Sequence, residues 1–137
     1  MKNEEKIVQD EWRQFALDDL ESAKILLRET DNYHISAYHA HQAVEKILKW
    51  FLMKNGRKFP FIHDLKELFK QVGQLKKIEV FLEDVLLLDN LYPQLRYPTG
   101  EQVTQDEARK CLDAAEKIVG EIASRSWKNS IEKRMKD

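Results

Sequence analysis

Residues 38–49 carry the side chains of this sequence that are best suited to binding or catalysis. The segment reads Tyr-His-Ala-His-Gln-Ala-Val-Glu-Lys-Ile-Leu-Lys, so ionisable and polar groups interrupt an otherwise core-like helix. The apolar positions keep the three-and-four spacing of a buried helical stripe, namely Ala37, Ala40, Val44, Ile47 and Phe51. One polar flank of that stripe holds His39, Gln42 and Lys46, and the other holds His41, Glu45 and Lys49. We expect each flank to be either solvent-exposed surface or the lining of a cleft.

Metal coordination is a poor interpretation of these histidines. His39 and His41 are two residues apart, so on a helix they point in different directions and cannot easily share one ion. His41 and Glu45 have a suitable spacing, but zinc requires three or four ligands. We therefore predict neither a metal site nor a cofactor.

Composition predicts one cytoplasmic domain. The 137 residues are 42% hydrophobic and 34% charged, which is enough for a single domain with a substantial core. The formal net charge of −1 argues against nucleic-acid binding through a generally basic surface, so any basic site must be local. The lone Cys111 cannot form an intrachain disulfide. Neither a signal peptide nor an apolar run of about 18 residues is present, so we expect no membrane segment.

Glycine and proline occur where helices should end, which predicts an all-α fold. We expect an antiparallel up-and-down bundle of four long helices plus one short helix, occupying residues 1–126, followed by a basic tail at 127–137. The predicted helices run over about 4–29, 33–55, 63–72, 75–92 and 105–126. Tyr92-Pro93 should end the fourth, and Gln94–Gly100, which contains a second proline and a glycine, should be a loop. Thr104 and Glu107 form a capping-box sequence that should begin the last helix.

Four sequence segments together resemble a known family. They are Asp19-Leu20, the Tyr38–Lys46 segment, Phe59-Pro60 followed by His63-Asp64-Leu65, and Arg96-Tyr97-Pro98. In order and spacing they are similar to a prokaryotic HEPN domain over nearly the whole chain. One departure is His41, because the family motif usually has glutamine at this position.

The resemblance implies a helical bundle that commonly dimerises and often works beside a small MNT-type nucleotidyltransferase. It also implies similarity to the substrate-binding helical domain of aminoglycoside nucleotidyltransferases, and hence binding of a nucleotide or of the partner's substrate. Other HEPN members are ribonucleases, often toxins of toxin–antitoxin pairs. They carry an arginine, four to six residues, and a histidine near the start of the final core helix.

This sequence does not have that ribonuclease motif at the expected place. Arg96 lies in the comparable region, but no histidine follows it. Arg28 with His34, and Arg57 with His63, have a suitable spacing but fall in earlier segments between helices, so we interpret both as coincidences. The sequence therefore predicts a non-catalytic subunit, although a histidine brought to Arg96 by the fold or by a dimer partner would permit catalysis.

The resulting hypothesis is a homodimeric HEPN subunit that binds a nucleotide or nucleic-acid element and a nucleotidyltransferase partner, within a toxin–antitoxin pair. The candidate ligand-binding residues are Arg96, Tyr97, His39, Gln42, Glu45, Lys46 and His63. Structural alternatives exist for them: a solvated helix face for residues 42–46, a helix cap for His63, and a salt bridge from Arg96 to Glu45 or Asp89. The two alternative functions are a metal-independent ribonuclease toxin and a dimerising scaffold.

Overall fold

Helix α2 (Tyr33–Lys54) lies at the centre of a bundle and contacts all the other α-helices. The computed structural model describes residues 3–58, 64–96, 98 and 100–124, without the side chains of residues 93, 94 and 96. The α-helices are α1 (Asn3–Glu29), α2 (Tyr33–Lys54), α3 (Leu65–Gly73), α4 (Leu82–Arg96) and α5 (Gln105–Ala123), and a 3₁₀ turn spans Glu79–Phe81. Within these ranges no strand occurs. The predicted all-α bundle of four long helices and one short helix is confirmed.

Helices α1 and α2 pack along each other because small and branched residues recur on their facing sides. The buried positions of α1 are Ala16, Leu20, Ala23 and Leu27, as the spacing predicts. The Ser36 hydroxyl donates a 2.8 Å hydrogen bond to the Ala23 carbonyl, which joins the two helices close to their connection. Arg13 donates to the Ala123 carbonyl at 2.9 and 3.1 Å and so ties α1 to the C-terminal end of α5.

The predicted end of α2 and the predicted start of α5 are confirmed, and each has a local cause. Gly56 has a φ of 70°, and the Arg57 N–H donates a 2.8 Å bond back to the Leu52 carbonyl, an arrangement that ends α2. The Thr104 hydroxyl accepts from the Glu107 N–H at 3.1 Å while the Glu107 carboxylate accepts from the Thr104 N–H at 3.0 Å. This capping box begins α5.

Two other boundaries differ from the prediction. The Asp64 carboxylate accepts a 2.9 Å bond from the Lys66 N–H, so α3 begins at Leu65 and not at His63. The fourth helix was also predicted wrongly, because Leu75 and Ile78 precede it and α4 starts only at Leu82. Residues 74–78 instead form a turn that leads into the 3₁₀ segment.

Helix α4 continues through Pro93 to Arg96, whereas the sequence predicted that it would end at Tyr92. An internal proline removes one backbone hydrogen bond and costs roughly 3 kcal/mol. The buried Leu88 and Leu95 lie on either side of Pro93, and their burial provides apolar stabilisation of comparable size. The prediction that residues 94–96 form a loop was therefore wrong, because packing of the flanking leucines outweighs the local proline signal.

The predicted basic tail lies outside the described residues, which end at residue 124. Among the described helices, none combines the length and the apolarity needed to span a bilayer.

Candidate ligand-binding face on helices α1 and α2

One carboxylate of α1 holds two side chains of α2 on a partly exposed face. Asp19 Oδ1 lies 2.9 Å from His39 Nδ1, and Asp19 Oδ2 accepts a 2.6 Å bond from Lys46 Nζ. His39 and Lys46 are 31% and 27% exposed, and Asp19 between them is 13% exposed. Gln42 lies on the same side of α2 between these two residues and is half-buried. We call Asp19, His39, Gln42 and Lys46 the outer cluster.

The outer cluster has hydrogen-bonding groups left for a ligand. With Nδ1 of His39 at the Asp19 carboxylate, the neutral ring carries its proton on that nitrogen and presents Nε2 as an acceptor or base. The Lys46 ammonium has three N–H donors, so further donors remain after its bond to Asp19. Phe15, 53% exposed, has its ring centre 6.0 Å from Lys46 Nζ. An ammonium, an imidazole, an amide and an exposed aromatic ring are the groups that bind phosphates and stack on bases.

The opposite polar flank of α2 is buried in the bundle. His41 is 0% exposed, Glu45 4% and Lys49 6%, and we call these three residues the inner row. The expectation that this flank would be surface or a cleft lining was therefore wrong. Glu45, one of the predicted ligand-binding residues, lies in this row and not with the outer cluster.

Contacts from two helices cover the inner row. Lys49 Nζ lies 3.5 Å from the Glu45 carboxylate and 5.7 Å from the centre of the Trp12 ring on α1. The His41 ring stacks on Tyr92 of α4, with ring centres 4.3 Å apart and planes inclined by 19°. The sequence predicted both of these helices, but it could not show that Trp12 and Tyr92 would face this flank of α2.

The remaining predicted site residues cannot be compared with these two groups. Arg96 is the last residue of α4, but its side chain lies outside the described part of the chain, as do Tyr97 and His63 entirely. Their ligand-binding roles stay predictions. Asp89, offered as an ion-pair partner of Arg96, has its carboxylate 3.6 Å from Lys66 Nζ. Burial, and secondarily the Asp64 carboxylate, raise the pKa of Asp89 above its ordinary value, and Lys66 opposes the rise.

Other chemistry receives little support from the described residues. They contain no group of three histidine, cysteine or acidic side chains that could hold a metal ion. Cys111 is fully buried, and desolvation, with a smaller contribution from Glu107, raises the pKa of its thiol to about 12. The thiol therefore stays protonated at neutral pH and is a poor nucleophile or metal ligand.

Two features of this face were not assigned a role from sequence. Asp19 was noted only as part of the family resemblance, although a carboxylate that borders the buried stripe of α1 requires a cationic or hydrogen-bonding partner. Tyr38 contacts His39 edge-on, with ring centres 6.1 Å apart, and lines a cavity of about 200 Å³ with His34, Ile35 and Leu95. That cavity brings Leu95, near the end of α4, close to His34 and Tyr38 of α2, which sequence spacing alone cannot reveal.

Comparisons with known proteins agree with this architecture. The chain is 35% identical over 123 residues to a Methanocaldococcus jannaschii protein named "Putative toxin MJ1304", covering 76% of this chain and 78% of that protein. The crystal structure of TT1696 from Thermus thermophilus superposes with a TM-score of 0.73 at 25% identity, covering 83% of this chain and 94% of that one. The crystal structure of ST0689, described as an archaeal HEPN homologue, gives a TM-score of 0.68 at 22% identity, with coverages of 91% and 98%.

A family model for the HEPN domain matches residues 9–126, which include α1 to α5 except for the first turns of α1. The match contains both the outer cluster and the inner row. The chain therefore belongs to the HEPN domain family.

Proposed function

We propose that this chain is the HEPN subunit of a toxin–antitoxin pair and binds a nucleotide or single-stranded nucleic acid through the outer cluster. The observation that carries the proposal is the Asp19 carboxylate, which fixes His39 and Lys46 side by side on a partly exposed face. We expect the fold to depend little on this arrangement, because ion pairs that remain partly exposed contribute little to folding. The name of the M. jannaschii relative supports the toxin–antitoxin context.

In this proposal Lys46 and His39 contact a phosphate, Gln42 orients the ligand through its amide, and Phe15 stacks on a base. Asp19 offsets part of the positive charge of Lys46. The site therefore favours a ligand that brings hydrogen-bond acceptors as well as negative charge. Arg96, the last residue of α4, and Tyr97, the next residue in the chain, are proposed to complete the site, with Arg96 holding a second phosphate.

The partners in this proposal are a second copy of the chain and an MNT-type nucleotidyltransferase. The outward side of α1 offers exposed apolar side chains for such contacts: Ile7, Val8, Phe15 and Ile25. Size-exclusion chromatography with light scattering tests the homodimer, and co-expression with a candidate MNT-type nucleotidyltransferase tests the second partner.

Binding of a fluorescent single-stranded RNA, followed by anisotropy, tests the ligand assignment. We expect Lys46→Ala and His39→Ala to weaken binding by about tenfold each, which corresponds to about 1.4 kcal/mol. Lys110→Ala is the matched control, because Lys110 is an exposed helical lysine paired with Asp106 on α5 and lies outside the outer cluster. Equal affinity for the wild type and both outer-cluster variants would remove the site assignment.

Ribonuclease activity is the second candidate, and one observation favours it. Metal-free RNA cleavage requires a base for the 2′-hydroxyl and a cation for the charged phosphorane. In this candidate function His39, oriented by Asp19, supplies the base, and Lys46, bonded to the same carboxylate, supplies the cation. Incubation of RNA with the protein in EDTA tests this activity, with His34→Ala as the control for His39→Ala. Cleavage that is lost only in the His39 variant would establish the enzyme, and intact RNA would support the binding subunit.

A further inference from the structure

A polar cavity lies at the far end of α2, against the outer side of α3. Its volume is about 320 Å³, and its lining residues are Leu52, Arg57, Lys58, Glu67, Lys70, Gln71 and Gln74. We call it the basic cavity. Leu52 follows Lys46 by six residues, which on a helix is a rotation of roughly 240°, so the basic cavity and the outer cluster open on different sides of α2.

The charges of the basic cavity favour an anion. Arg57, Lys58 and Lys70 supply three cations, and Glu67 is the one carboxylate among the lining residues. The whole chain has a net charge of −1, so this excess is local. The cavity between α1 and the last turn of α2 shows the contrast, since it is lined by Glu4 and Glu5 with no cation.

The backbone next to the cationic groups has a fixed conformation. Gly56, with a φ of 70°, and the 2.8 Å bond from the Arg57 N–H to the Leu52 carbonyl fix the backbone at the mouth of the cavity. On the α3 side, the Gln71 amide donates a 3.2 Å bond to the Glu67 carboxylate, which partly satisfies that negative charge. Gln71 and Gln74 add amide groups, which are hydrogen-bond donors for phosphate oxygens.

We infer that the basic cavity is a second anion site of this protein and binds a phosphate group. Three cations around one concave volume match a ligand with several adjacent charges, either a free polyphosphate or the backbone of a nucleic-acid strand. The inference goes beyond the outer cluster and requires no contact with it. It assigns a ligand-binding role to α3, which carries none of the proposed ligand contacts of the outer cluster.

Isothermal titration with two probes tests the inference: sodium pyrophosphate, and a ten-nucleotide single-stranded RNA without terminal phosphates. The double variant Arg57→Ala/Lys70→Ala should lose at least tenfold in affinity for one probe or both. Loss for pyrophosphate alone identifies a free polyphosphate ligand, and loss for RNA identifies a strand backbone. Lys77→Ala/Lys110→Ala, which removes two exposed cations outside the basic cavity, is the charge-matched control and should stay within twofold of the wild type.

Two further variants separate this inference from the proposed function. Arg57→Ala/Lys70→Ala should lower pyrophosphate affinity by the same factor in the wild-type and in the Lys46→Ala background, so failure of the outer-cluster site does not remove the basic cavity. Glu67→Gln should tighten anion binding about threefold, a gain that an unfolded variant cannot produce. The inference is overturned if neither probe binds the wild type, or if the double variant binds both probes as the wild type does.

Discussion

The two polar flanks of α2 have similar residue types and opposite environments. The outer cluster has a histidine and a lysine on one α1 carboxylate, and both side chains remain about 30% exposed. The inner row has a histidine, a glutamate and a lysine, all less than 10% exposed. The difference arises from their neighbours. Trp12 and Tyr92 contact the inner row, whereas the histidine and the lysine of the outer cluster contact Asp19.

This comparison separates stability from function on one helix. Buried ionisable groups are costly to leave without their partners, so the inner row should determine whether the bundle folds. Partly exposed groups contribute little to folding, so changes in the outer cluster should alter binding and leave the fold intact. Variants of matched residue type on the two flanks test this separation.

The largest expected effect is on Glu45. Glu45→Ala leaves the ammonium of Lys49, 6% exposed, in the interior without that carboxylate, and should lower the free energy of unfolding by about 3 kcal/mol. Urea denaturation followed by circular dichroism measures the change. Glu21→Ala, at an exposed position of α1, is the control and should stay within about 0.5 kcal/mol of the wild type. A similarly small change for Glu45→Ala would show that the inner row is not a stabilising element.

The two histidines give the next comparison. His41→Ala removes a fully buried ring stacked on Tyr92 and should cost about 2–3 kcal/mol of unfolding free energy. His39→Ala removes a ring that is 31% exposed and should cost less than about 1 kcal/mol. Thermal and urea unfolding of both variants in one buffer measures the difference. If His39→Ala proves the more destabilising change, the assignment of stability to the inner row and of binding to the outer cluster is wrong.

Asp19 tests whether the outer cluster is a positioned unit. Asp19→Asn keeps the side-chain shape but removes the charge that holds Lys46 and His39, and should weaken RNA binding roughly three- to tenfold, equivalent to about 0.7–1.4 kcal/mol. The neighbouring Asp18→Asn is the control, because Asp18 is exposed and accepts its bond from Gln14, one turn earlier on the same helix. Stronger binding by Asp19→Asn would show instead that the carboxylate repels the ligand.

The smallest effect is expected at Asp89 on α4, which is intermediate in exposure between the two flanks. Its pKa is raised, first by burial, so the folded protein binds this proton more tightly than the unfolded chain does. The ionised carboxylate therefore destabilises the fold fully above the raised pKa, and this destabilisation is lost as the pH falls from the raised value to the ordinary one. Asp89→Asn should raise Tm by about 1–2 °C at pH 7 and by less at pH 4. A lower Tm at pH 7 would mean that the ion pair with Lys66 dominates.

Local sequence signals predicted most of the fold. The apolar spacing of α1, α2 and α5, the glycine at the end of α2 and the Thr104 capping box all concern residues within one turn of each other, and all are confirmed. The path of α4 through Pro93 was not predicted, because it depends on burial of Leu88 and Leu95 against other helices. Tertiary packing there overrides the local effect of proline.

The site was less predictable for the same physical reason. Sequence periodicity identified two polar flanks, but it could not show which flank another helix covers. The stacking of His41 depends on Tyr92, which lies 51 residues later in the chain, and the position of Lys46 depends on a carboxylate 27 residues earlier. Arg96, Tyr97 and His63 remain predictions from sequence.

The most direct test is the response of the individual histidine rings to ligand, measured by NMR. The ring signals of His39 and His41 are assigned with the two alanine variants and followed during titration with the single-stranded RNA used in the anisotropy assay. The outer-cluster assignment predicts a saturable shift of the His39 ring signal at the binding midpoint, with the His41 ring signal nearly unchanged. Saturable binding that leaves the His39 ring unshifted would contradict the account.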